Sequence, residues 1–116
     1  MSQTAEEKLV ELAKAYARHR KALRENNQAI RGIDLKLYRK RYLSGEWMEP
    51  EEVLKWKGWL HAVDTIQAWD GKAIEDYEID RSMARLLDYR KDIKAQGIRI
   101  RNRLRIIGDQ LLRAEP

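Results

Sequence analysis

Cysteine is absent from this chain of 116 residues, so neither a disulfide framework nor thiolate chemistry is available to it. Proline occurs twice, which leaves room for long unbroken helices. Nowhere do the roughly 18 consecutive apolar residues of a transmembrane helix occur, and no membrane partner is expected. The opening residues, MSQTAEEKLVELAKAY, have no apolar stretch after a basic start, unlike a secretory signal. A cytoplasmic protein is the expectation.

Catalytic material is equally scarce. The two histidines, His19 and His61, lie on different predicted helices, and no cysteine accompanies them. Glu51–Glu52 and Glu75–Asp76 are adjacent carboxylates, but neighbours on a helix point about 100° apart and form no acid–base dyad. Of the glycine contexts, RGID, KGWL and QGIR do not resemble a phosphate-cradling loop. The expectation is a protein that is not an enzyme and carries no cofactor and no metal.

Charge is what the chain has in excess. Asp, Glu, Lys and Arg make up 37% of it, against about 25% in ordinary globular domains, and the net charge is +5. That sum hides a division. Residues 1–44 carry 11 Lys/Arg against 5 Asp/Glu, residues 45–79 carry 3 against 9, and residues 80–116 carry 10 against 5. The order basic, acidic, basic suits segments that lie together or faces meant for different partners.

Apolar spacing predicts two long helices. Leu9, Tyr16, Leu23, Ile30 and Leu37 recur every seven residues, followed at three-residue offset by Leu12, His19, Asn26, Ile33 and Lys40. These are heptad a and d rows over about 4–43. Thr4, Glu6 and Glu7 suit the start, and SGEW from Ser44 to Trp47 the stop. A second set, Ile79, Leu86, Ile93, Ile100 and Ile107, has the same spacing and predicts a helix over about 80–112. It runs through GIRIRNRLRIIG, where residues alternate one for one with arginine as in a half-buried strand. The strand reading accounts for eight residues and the helical one for more than thirty, so the helix is preferred. On it Arg99 and Arg103 share one flank, and Arg101 and Arg105 another.

An antiparallel register then pairs Leu9 with Ile107, Leu23 with Ile93 and Leu37 with Ile79. It sets His19 opposite Gly97 and Asn26 opposite Arg90, as polar layers that hold the register. The same rows could instead close a homodimer. Between the long helices, Pro50, Glu51 and Glu52 predict a third helix over about 50–69. Asp70–Gly71 ends or bends it, and KAIEDYEI, residues 72–79, is a short acidic turn or the beginning of the last helix. The expected fold is all-α: a single domain, 1–116, in which two long heptad-patterned helices form an antiparallel hairpin. A shorter Trp-rich helix packs on it, as in a small helical bundle or coiled coil.

Three functional readings follow. All four tryptophans lie between Trp47 and Trp69, in the acidic middle. They either pack the third helix onto the hairpin or leave an exposed anchor. The first expectation is a protein-binding regulator or adaptor using Trp47, Trp56, Trp59, Glu51 and Glu52. Such a regulator could act as an inhibitor covering a partner's basic, nucleic-acid-binding surface. The alternative is sequence-tolerant nucleic-acid binding by Arg99, Arg101, Arg103 and Arg105, with Arg39, Lys40 and Arg41 of YRKRY. No helix-turn-helix or zinc-finger module accompanies those residues. The second alternative is a self-assembling structural subunit.

Overall fold

The computed structural model describes residues 4–42, 50–66 and 69–114, with Glu52 described by its backbone alone. Four helices follow one another: α1 (Ala5–Tyr42), α2 (Pro50–Asp64), α3 (Gly71–Asp76) and α4 (Arg81–Arg113). No strand occurs among the described residues. The two long helices pack against each other as an antiparallel hairpin with the shorter helices added, a small all-α bundle. Helical periodicity thus holds through the arginine alternation of α4, because its buried positions Ile93, Gly97, Leu104 and Ile107 keep the heptad spacing. Contacts divide the chain into two compact units, one taking the chain up to Ala29 and from Ile93 onward, the other Ile30–Asp92.

The first unit pairs the early part of α1 with the late part of α4. Thr4 opens α1: its hydroxyl accepts from Glu7 N–H at 3.2 Å, satisfying a donor that the helix leaves free. The apolar row here is only partly covered. Ile93, Leu104 and Ile107 are buried, whereas Leu9, Leu12, Leu23, Ile100 and Leu111 are half-buried and Leu112 is exposed.

The register differs from the one drawn from spacing alone. Asn26 does not face Arg90; its Nδ2 donates to the carbonyl of Ile93 at 2.8 Å. Its Oδ1 lies only 2.7 Å from where a Cβ on Gly97 would stand. Spacing puts His19 opposite Gly97, but its Nδ1 donates to Ala15 O of its own helix at 2.7 Å. The helices therefore meet one to two turns, roughly, from the expected alignment. A missing side chain on α4 is filled by the amide of α1 that can also reach a carbonyl.

Two glycines should respond oppositely to alanine. A Cβ added to Gly32 would meet nothing within 4 Å, so Gly32→Ala should gain about 1 kcal/mol of helix propensity. At Gly97 the same gain is outweighed by the clash with buried Asn26, and a net loss of about 1–2 kcal/mol is expected. Urea denaturation of both variants reads the difference; a more stable Gly97→Ala protein would contradict this packing.

The second unit holds the larger core. Ile33, Leu37 and Tyr38 of α1 are buried, as are Trp56, Trp59, Leu60 and Val63 of α2. Ile79, just before α4, is buried too, with Met83 and Leu87 on α4. α2 ends at Asp64, short of the 50–69 expected from the spacing of Val63, Ile66 and Trp69. Just past that end, the Thr65 hydroxyl turns back and donates to Ala62 O at 2.7 Å. Trp69 belongs to the loop that follows and donates its indole N–H to Asp88 of α4 at 2.9 Å.

Asp70 begins a helix. Its carboxylate accepts from Ala73 N–H at 2.7 Å and caps α3, so KAIEDYEI forms a separate short element. α3 closes with Ile79 N–H on Ile74 O at 3.0 Å and Glu78 N–H on Glu75 O at 3.3 Å. That bonding pattern puts Glu78 at φ 55°, a left-handed position that favours glycine. Asp80 then caps α4, accepting from Met83 N–H at 2.8 Å and from the Ser82 hydroxyl at 2.7 Å.

Candidate nucleic-acid interface

The tryptophans expected to anchor a partner are core residues at both α2 positions that the structure describes. Trp56 is 2% exposed and Trp59 9%. Their rings stack with centroids 5.4 Å apart, and Trp56 meets Tyr38 edge-on at 5.4 Å and Tyr42 at 6.1 Å. A short helix on a two-helix layer has few other large groups to bury, and this chain has no phenylalanine to do it. Trp47 lies outside the described residues, as does the side chain of Glu52. Glu51 is exposed on the first turn of α2.

Arg41 is withdrawn from the basic run YRKRY. Its guanidinium lies 4.5 Å from the centre of the Trp59 ring, and its Nη1 donates to Tyr77 O at 3.4 Å. The Glu78 carboxylate is 3.7 Å away. Trp59 Nε1 donates to the same Tyr77 carbonyl at 3.1 Å, so the arginine and the indole together hold the end of α3. A guanidinium so engaged acts as a structural clamp, and Arg41 has less support as a nucleic-acid contact than the exposed Arg39 and Lys40.

Arg90 also has a structural place. Its Nε donates to Asp34 at 2.6 Å, its Nη1 to Asp64 at 2.6 Å, and its Nη2 to Asp34 at 3.4 Å. Burial disfavours its charge, but the hydrogen bonds and charges of Asp34 and then Asp64 outweigh that and raise its pKa above the ordinary value. The guanidinium therefore ties α1, α2 and α4 together in its charged form.

The remaining basic residues of the two predicted clusters are open to solvent. Arg99, Arg101, Arg103 and Arg105 are all exposed, and among the described residues none of the four is in an ion pair. Arg101, Arg105 and Asp109 line a groove of about 920 Å³ together with Tyr16 and Arg20 of α1. Arg99 and Arg103 occupy the other flank of α4. By sequence, this first unit carries 12 Lys/Arg against 6 Asp/Glu, and the second 12 against 13. The positive balance therefore resides in the first unit.

Within the second unit, Arg39 and Lys40 remain exposed and are joined by residues that spacing did not single out. Lys36 lies beside them on α1, and Arg85, Leu86 and Tyr89 face them from α4 around a groove of about 520 Å³. Among the described residues no carboxylate lines that groove. Lys36 stands three and four residues before Arg39 and Lys40, a signal visible in the sequence. Arg85 and Tyr89 needed the register. Asp80 is close enough to Lys40 to feel its charge. Its carboxyl is held below the ordinary range first by Met83 N–H and then by the Ser82 hydroxyl; burial opposes, and Lys40 adds a smaller effect.

His61 is exposed, and among the described residues no three His, Asp or Glu side chains gather as metal ligands. None of the described helices is long and apolar enough to cross a membrane. Fold and surface together define an all-α helical hairpin with exposed basic faces on both long helices. No family model, curated protein or solved structure matches the chain.

Proposed function

We propose that the protein is a non-enzymatic nucleic-acid-binding accessory protein that contacts phosphate backbone through α1 and α4 with little preference for base sequence. One observation carries the reading: four exposed arginines within Arg99–Arg105, on a unit with an excess of positive charge, engage no carboxylate among the described residues. Guanidinium donors left open in this way suit phosphate oxygens, and neutralising phosphates releases counterions. Two flanks of arginine on a smooth helix offer positioning contacts and no base-reading module, which accounts for the sequence tolerance. A protein-binding regulator anchored on tryptophan has less support, because Trp56 and Trp59 are buried.

Fluorescence anisotropy with labelled duplex DNA and RNA across a salt series tests the proposal. Binding of about micromolar strength is expected at low salt, with a log–log salt slope of roughly −3 to −4 if the four arginines each meet a phosphate. Arg101→Glu with Arg105→Glu should flatten that slope and weaken binding at least tenfold, roughly, while the exposed positions leave folding unchanged. Absence of binding to any nucleic acid at low salt would overturn the reading.

A further inference from the structure

We infer that the groove between α1 and α4 in the second unit binds single-stranded nucleic acid, with phosphates on Lys36, Arg39, Lys40 and Arg85 and a base stacked on Tyr89. The inference rests on the proposal above and adds to the arginines of α4 a second site, with a strand state of its own. Three basic side chains from one helix and a fourth from the other line the groove with their aliphatic stems, which leaves their charged ends to its rim, and among the described residues no carboxylate lines it. Among the described residues none of the four is in an ion pair, so an anion need not displace an existing partner. The nearby acidic group Asp80 already accepts from Met83 N–H and from the Ser82 hydroxyl. The groove volume of about 520 Å³ lies within the range of sites that accept small organic groups.

Tyr89 decides between strand states. It is 58% exposed, one turn beyond Arg85 and close to the half-buried Leu86. Phosphate contact alone requires no aromatic ring. A duplex keeps its base faces inside the stack and presents nothing for Tyr89 to cover, whereas a single strand offers a free face at each nucleotide. Cations that follow a backbone, with an exposed ring among them, are the arrangement by which proteins hold single strands without reading sequence. An acidic peptide would satisfy the cations and leave the ring unused.

The experiment compares a labelled single-stranded DNA of mixed sequence with a duplex of equal length, using the full chain and three variants. The wild type should prefer the single strand. Tyr89→Ala should lower single-strand affinity roughly tenfold and leave duplex affinity unchanged, and Tyr89→Phe should restore it. Arg39→Glu with Arg85→Glu should lower single-strand affinity by a larger factor. Far-ultraviolet circular dichroism checks that each variant keeps its helices. If Arg101→Glu with Arg105→Glu abolishes binding while the groove variants bind like wild type, the groove inference fails and the general reading stands. If wild type binds neither nucleic acid, both fail. Equal losses for both strand states in Tyr89→Ala, or displacement by poly-glutamate as effective as by unlabelled DNA, would also overturn the groove inference.

Discussion

Replacing Arg90 by methionine is expected to destabilise the protein by about 3–5 kcal/mol, a large part of what a small domain has. The side chain is 11% exposed and stands between Asp34, 25% exposed, and Asp64, 12% exposed. Methionine fills a similar volume, so the loss comes from charge and hydrogen bonding. It leaves two carboxylates near each other in a place that water enters poorly, with the cation between them gone. Losing one partner of a buried ion pair costs more than the pair itself was worth, because the desolvation penalty of the other partner remains. Adding Asp34→Asn and Asp64→Asn to Arg90→Met should therefore recover much of the stability. Urea denaturation of the single and triple variants checks both statements. A loss below about 1 kcal/mol in Arg90→Met would mean that the cluster is screened like a surface pair.

The second large effect is expected at Trp56. Trp56→Ala should cost about 3–5 kcal/mol, since the ring is 2% exposed and its removal opens a cavity among Tyr38, Tyr42 and Trp59. The loss of edge-on and stacked ring contacts adds to the lost transfer energy. A surface anchor would behave differently, losing a partner while stability changed by less than about 0.5 kcal/mol. The denaturation midpoint thus separates a core tryptophan from a docking one without any partner being known. A fully stable Trp56→Ala protein would contradict the packing of α2.

Much of the helical layout is legible in the residues. Thr4 with Glu7 marks the start of α1, Pro50 the start of α2, and the seven-residue rows identify both long helices. The end of α2 is not legible. Ile66 and Trp69 continue its apolar spacing, yet Asp64 meets Arg90 and Trp69 donates to Asp88, both partners on α4. Those contacts join residues 26 and 19 positions apart, and no local pattern announces them. Of the candidate site, the exposed arginines of α4 can be read from the alternation and the heptad together. The groove around Tyr89 cannot, since it takes residues from both long helices.

By itself the sequence determined the two long helices, their lengths within a few residues, and which stripe of α4 turns inward beneath its arginines. Periodicity is local: a spacing of 3.5 to 3.6 residues acts within each segment whatever it packs against. Only the tertiary structure decided how the helices align and which polar groups are used up. Register depends on fits between distant residues, as where the amide of Asn26 occupies the space left by Gly97 and bonds Ile93 O. Arg41, Arg90 and Arg101 are alike in composition, yet the first lies over Trp59, the second binds two aspartates and the third is exposed. Their difference comes from which neighbours the alignment supplies.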